Sequence, residues 1–203
     1  MMFANLLTLS RSDLKILKVV DEYSIHRVVY DFFEDIRADD EKNASISSGL
    51  LYVDTGGNFN KRQILILSNR LPKKRDIGSI VSKPIREDFL SFPEYKFELV
   101  VNPTKRDRKT GKLIAIRTRQ EIAAWFLEKA SSSYGFDIKP ESLIVDQLTV
   151  NQFHKSNHHI VQARAKLSGE LIVLDRQLFI HSFKKGIGRG RAFGFGLLQI
   201  TPI

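Results

Sequence analysis

The stretch "GLLYVDTGGNFNKRQILILS" (49–68) decides the fold. Two aliphatic runs, "GLLYVDT" (49–55) and "RQILILS" (62–68), flank a turn containing Gly56, Gly57 and Asn58, which is the pattern of a hairpin. Upstream, "DEYSIHRVVYDFFEDI" (21–36) places Ile25, Val28, Val29, Phe32 and Ile36 on one side at helical period, and "FANLLTLS" (3–10) is a strand. Downstream, "LPKKRDIGS" (71–79) is a basic loop or a broken short helix, and "IVSKPI" (80–85) closes the set. The order is β-α-β-β-(α)-β, a split β-α-β arrangement whose second helix is weakly marked.

The order then repeats without any repeat of sequence. "REDFLSFPE" (86–94) marks a linker, taken as 87–94, between a domain of residues 1–86 and one of residues 95–203. In the second half "YKFELVVNPT" (95–104) is a strand and "KRDRKTGK" (105–112) a basic loop. "TRQEIAAWFLEKASSSYG" (118–135) is a helix capped by Thr118, with Gln120 or Glu121 in its first turn. "SLIVDQLTVNQF" (142–153) and "IVQARAKLSGELIVLD" (160–175) are strands around a hairpin tip, "HKSNHH" (154–159). A helix over 175–185 and a strand "AFGFGLLQI" (192–200) finish the chain. The expected fold is α+β, two tandem ferredoxin-like (RRM-like) domains with antiparallel sheets. That fold hosts many functions, RNA-binding sheets among them, so function has to come from the residues.

The 203 residues suffice for two small domains with real cores. Cysteine is absent, which excludes disulfides and thiolate metal sites. No 18-residue apolar run occurs, and residues 1–20 carry Arg11, Asp13, Lys15 and Lys18 in place of an apolar signal, so a cytoplasmic protein without a membrane partner is expected. The net charge is +9 and unevenly spread: −4 over residues 1–60, +4 over 61–94, +3 over 95–149 and +6 over 150–203. A positive field confined to the middle and the second half points to a polyanion, most simply nucleic acid; a soluble basic protein is the alternative.

The loop "GIGRGRAFGFG" (186–196) raises the question of which anion it meets. Gly-x-Gly-x-x-Gly fails from every start, and no Gly-Lys-Ser/Thr follows, so neither common nucleotide motif is present. The loop also closes a helix, whereas a dinucleotide site opens one. That helix, "DRQLFIHSFKK" (175–185), is capped by Asp175, buries Leu178, Phe179 and Phe183, and ends in Lys184 and Lys185, with Gly186 or Gly188 as its left-handed stop. Two readings stand: a flexible connection, or a loop whose free N–H groups, Arg189 and Arg191 meet a phosphate backbone.

On the first helix, at about 100° per residue from Ile25, Val29 falls near 40°, Ile36 near 20° and Phe32 near −20°, while His26 falls near 100°, Tyr30 near 140° and Tyr23 near 160°. Tyr23 and His26 therefore share a flank at the edge of the core. A semi-exposed histidine titrates near neutral pH, and with a tyrosine hydroxyl beside it suits proton transfer at a phosphodiester: one group assists attack by the 2′-OH, another protonates the leaving 5′-oxygen. The alternative is a boundary histidine that only packs.

A metal site is not expected. His154, His158 and His159 cluster at the hairpin tip without an acidic partner or cysteine. That tip, with Lys155 and Asn157, better suits an RNA groove or loop, and Arg164 and Lys166, two apart, face one side of their strand. The acidic run "EDIRADDEK" (34–42) is a solvated helix end, and Trp125 belongs with the core residues Ile122, Phe126 and Ala130.

"YSIHRVVYDFF", "YKFELVVNPTK" with its basic loop, and "GIGRGRAFGFGLLQI" together resemble the CasE family, the CRISPR RNA-processing endoribonucleases of type I-E (Cascade) systems. The resemblance spans both halves of the chain. It implies a metal-independent endoribonuclease without cofactors that cuts CRISPR precursor RNA at the 3′ base of the repeat stem-loop. The expected ends are a 2′,3′-cyclic phosphate and a 5′-hydroxyl, and the enzyme keeps the mature guide RNA and joins other Cascade subunits. The family's catalytic histidine falls on His26 and its neighbouring tyrosine on Tyr23. Its groove-entering hairpin corresponds to residues around 153–166 and its glycine loop to Gly186–Gly196. On this reading Lys105, Arg106, Arg108, Lys109, Lys155, His158, Arg164, Lys184, Lys185, Gly188, Arg189 and Arg191 contact RNA. A non-catalytic RNA-binding subunit of the same fold is the alternative.

Overall fold

The computed structural model describes residues 1–38, 40, 48–107, 109–111, 113–155 and 158–203, with backbone alone for 150–155 and 158–162. The chain divides into two compact units: residues 1–85 with 192–194, and residues 86–191 with 195–203.

In the first unit, β1 (Phe3–Ser10), β2 (Leu50–Gly57), β3 (Lys61–Ser68) and β4 (Ser79–Pro84) form an antiparallel sheet of order β2-β3-β1-β4. This is the order of a ferredoxin-like domain. Strand alternation turns Asn5, Leu7 and Leu9 of β1 to one face, where Ile64 and Ile66 of β3 join them. Helix α2 (Glu22–Asp31) buries Ile25, Val28 and Val29 in this core together with Phe32 and Phe33. Each such side chain contributes about 1.5–3 kcal/mol through its removal from water. Asn5 is also fully buried, and its amide donates to the Ile66 carbonyl and to Ser68 Oγ.

Three local expectations need correction here. The helix expected over 21–36 stops at Asp31: the Phe32 N–H reaches back to the carbonyls of Val28, Val29 and Tyr30, and Phe33 N–H bonds Tyr30 O. Ending there buries both adjacent phenylalanines, which a continuing helix would spread around its axis. Ile36, read as part of the apolar stripe, is 59% exposed. Residues 69–78 form no helix; Lys73 N–H caps the Phe32 carbonyl instead. A short helix not expected from the apolar pattern, α1 (Arg11–Ile16), follows β1, and "SRSD" (10–13) is its signature: Ser10 and Asp13 form a complete capping box.

In the second unit, β5 (Glu94–Val101), β8 (Phe136–Ile138), β9 (Ile144–Lys155), β10 (His158–Val173) and β11 (Gln199–Pro202) form an antiparallel sheet of order β11-β5-β10-β8, with β9 also on β10. Helix α3 (Arg119–Lys129) starts at Thr118, whose hydroxyl accepts from Glu121 N–H, and α4 (Arg176–Lys185) starts at Asp175. Trp125 is half-buried beside the fully buried Ile122 and Phe126. The basic stretch after β5 is partly a hairpin, β6 (Thr104–Arg106) with β7 (Leu113–Ala115). The stretch read as a linker holds a 3-10 turn (Glu87–Leu90), and Arg176 Nη1 donates to the carbonyls of Leu90 and Phe92.

The strand expected over 192–200 is a 3-10 turn (Arg191–Phe193), an irregular passage and then β11. Gly194 and Gly196 both sit at φ +81°, far from the extended backbone of a regular strand. At Gly196 the carbonyl accepts from Ile187 N–H and the N–H donates to the Val100 carbonyl, leaving no room for a Cβ: one placed there would lie 2.3 Å from Ile187 O. Ile187, Phe195, Leu197 and Leu198 are buried, so the glycine loop is a pinned element of the fold. Among the described residues, no helix is long and apolar enough to cross a membrane.

Candidate functional site: a histidine held by the glycine loop

The start of α2 is held by hydrogen bonds within residues 20–24. Asp21 Oδ1 accepts from Ser24 N–H at 2.7 Å, and Ser24 Oγ accepts from the N–H groups of Val20 and Asp21. With the first turn set, Tyr23, His26 and Tyr30 fall on one flank and are all half-buried.

His26 lies among three aromatic rings. Tyr23 stacks at 5.9 Å between centroids with 22° between planes, Tyr30 sits at 4.2 Å and Phe193 at 5.4 Å. Tyr30 hydroxyl shares a hydrogen bond with Ser48 Oγ at 2.9 Å. The Ala192 carbonyl accepts twice, from His26 Nδ1 at 2.7 Å and from the hydroxyl of Tyr52 at 3.1 Å. A carbonyl oxygen only accepts, so His26 Nδ1 carries the hydrogen. Nε2 is then the nitrogen through which this ring takes up or gives away a proton. Tyr52 is fully buried on β2, and its hydroxyl fixes the carbonyl that orients the imidazole.

Tyr23 and His26, paired by sequence, are thus in ring contact. The tripeptide Ala192–Gly194 belongs to the first unit with them. Tyr52, Ala192 and Phe193 carry no signal of this role in the sequence: a tyrosine inside an apolar strand bears no mark of its partner, and glycines and arginines dominate the pattern of the loop.

The expected RNA contacts occupy varied settings. Lys105 pairs with Glu121 at 3.3 Å, and both side chains are half exposed. Arg106 Nη1 donates to Gly111 O, and Lys109 stands exposed in a turn organised by Asp107. Arg108 lies outside the described residues, and Lys155 and His158 are described only as a facing backbone pair of β9 and β10. Arg164 places its guanidinium 5.8 Å from the Phe195 ring. It faces the same side as Lys166, which pairs with Glu98 at 3.0 Å. Lys184, Lys185 and Arg189 are exposed, Gly188 has φ +75°, and Arg191 donates to the Lys185 carbonyl at the end of α4.

Two ferredoxin-like domains with antiparallel sheets, the first carrying an oriented imidazole, define the class. The chain belongs to the CRISPR associated protein family, whose model matches residues 2–202. It is 30% identical over 130 residues to the CRISPR-associated endoribonuclease Cse3 of Thermus thermophilus, a match covering 59% of this chain and 61% of that relative, less than two thirds of its length. The fold is shared with Thermus thermophilus Cse3 bound to an RNA representing a pre-cleavage complex, at a TM-score of 0.78, 22% identity and 99% coverage of both chains. It is also shared with a chain of a pre-nicking CRISPR RNA-guided surveillance complex, at a TM-score of 0.72, 18% identity, 99% of this chain and 100% of that one.

Proposed function

We propose that this chain is a CRISPR RNA-processing endoribonuclease that cuts precursor RNA at the base of the repeat stem-loop without a metal. The 2′-OH loses its proton and attacks the adjacent phosphorus, and the bond to the 5′-oxygen breaks. That oxygen takes up a proton, leaving a 2′,3′-cyclic phosphate and a 5′-hydroxyl. His26 Nε2 serves as general acid or base, and Tyr23 orients or activates the 2′-OH. The single observation carrying this role is the Ala192 carbonyl, which holds the Nδ1 hydrogen and leaves proton transfer to Nε2. A relative named as an endoribonuclease and a fold neighbour bound to a pre-cleavage RNA support the substrate class.

The exposed cations Lys184, Lys185 and Arg189 with Arg191, and the hairpin residues Lys105, Arg106 and Lys109, hold phosphates; Gly188 leaves room for the backbone. Arg164 serves the same end, with Arg108, Lys155 and His158 completing the set. A large basic surface gains affinity from counterion release on substrate and product alike. The protein therefore retains its cut RNA and enters a cytoplasmic surveillance assembly with it, like the fold neighbour found in such a complex.

The test is incubation with a labelled repeat hairpin in excess EDTA, with end-group analysis. His26→Ala lowers cleavage by about 10²–10⁴-fold, the range for a general acid–base group, with RNA binding retained. Unchanged processing would remove His26 from the mechanism and favour a non-catalytic RNA-binding subunit; a 3′-hydroxyl product would exclude 2′-OH attack.

A further inference from the structure

The tip of the β2–β3 hairpin carries an aromatic side chain that neither the core nor the histidine site uses. Phe59 is 76% exposed, and the Arg11 guanidinium lies over its ring at 4.2 Å from the centroid. The tip is well held. Asn58 Oδ1 accepts from the N–H groups of Asn60 at 2.9 Å and Lys61 at 3.1 Å, and Asn58 N–H donates to the Lys61 carbonyl. Arg11 N–H donates to the Asn60 carbonyl at 3.1 Å, which ties the start of α1 to the tip. The Asn58 side chain closes an Asx-turn around Phe59. The fold thus holds a phenylalanine in water with a cation at one face.

The tip lies at the end of the unit where α2 begins. Ser10, the last residue of β1, pairs with Lys61. Arg62 is ion-paired to Asp54 and interacts electrostatically with Glu22, the neighbour of Tyr23. Tyr23 is itself displaced from His26 towards this same end. Arg62, in the first turn-proximal pair of β3, stands three positions after Phe59 in the chain.

The geometry points to a stacking platform for one nucleobase of a single-stranded RNA segment that runs from the histidine site towards the hairpin tip. Every base has a π-face, so an exposed phenylalanine accepts any of them, and the arginine and Lys61 lie beside the phosphate of the stacked nucleotide. Duplex bases are already stacked on one another, so the platform prefers the unpaired RNA flanking the stem. The identity of that strand rests on the RNA-cleaving function above.

The test measures binding of the full chain to three RNAs: the repeat hairpin with unstructured flanks, the bare hairpin, and an unstructured oligoribonucleotide containing 2-aminopurine. Phe59→Leu, which keeps apolar bulk but loses the ring, should bind the flanked hairpin about 5- to 100-fold more weakly, the range for stacking on one aromatic. The bare hairpin should be held equally by both proteins. Wild type and Phe59→Trp should quench the 2-aminopurine, and Phe59→Leu should not. Equal binding of the flanked hairpin by Phe59→Leu and wild type overturns the proposal, as does equal weakening on both hairpins. Failure of the cleavage reading shows separately, as wild-type protein that leaves the hairpin uncut. The 2-aminopurine strand then still decides the platform, quenched if it exists and unquenched if it does not.

Discussion

Gly194→Ala probes how the histidine site is held. Gly194 sits at φ +81°, where an L-residue costs about 1–2 kcal/mol. An added Cβ would lie 3.1 Å from Cε2 of Tyr52, whose side chain is fully buried. The ring would have to give by a few tenths of an ångström into packed neighbours, which adds about 1 kcal/mol, the low end of overpacking. The total, about 2–3 kcal/mol, lowers Tm by roughly 5–10 °C at the sensitivity of a chain of this size. Gly56→Ala is the reference: it has φ +80° in the same unit but nothing within 4 Å of its Cβ, so only the conformational part applies. Thermal unfolding by circular dichroism compares the two. Because Tyr52 holds the Ala192 carbonyl, Gly194→Ala should also slow hairpin cleavage at least tenfold at a temperature where the variant is fully folded. A Gly194→Ala protein that melts with Gly56→Ala and cuts at the wild-type rate would refute the argument.

Further predictions follow the surface charges and the caps. Arg189→Ala should weaken RNA binding alike for all sequences and reduce the slope of log K against log salt by about 0.7–0.9, the loss of one phosphate contact, while an unchanged slope would remove Arg189 from the interface. The Ser10 hydroxyl and backbone N–H hold the Asp13 carboxyl below the usual carboxylate range. A depressed folded value means that stability from the ionised Asp13 is complete above about pH 4 and is lost as pH falls through the folded value. Asp13→Asn should therefore show a shallower acid limb in urea midpoints below pH 4, and identical acid limbs would sink the assignment.

The order of elements was legible because each signal is local. The apolar spacing of 21–36 and the caps Thr118 and Asp175 act within a few residues of themselves. The same locality explains the errors at the edges. Nothing near Ile36 says that α2 stops at Asp31, since the stop comes from burying Phe32 and Phe33 together in the core. The alternation in "AFGFGLLQI" is real, but Gly194 and Gly196 sit at positive φ, and Gly196 is held by hydrogen bonds to Ile187 and Val100, which lie outside its local pattern.

By itself the sequence determined two split β-α-β domains, a basic second half, and a helix flank carrying Tyr23 and His26, because periodicity and charge are properties of the chain alone. Tertiary structure decided which nitrogen of His26 carries the hydrogen. That choice rests on hydrogen bonds to Ala192 that span 166 residues from His26 and 140 from Tyr52. No local pattern encodes such a meeting; it exists only once the core has closed and carried residues 192–194 into the first unit.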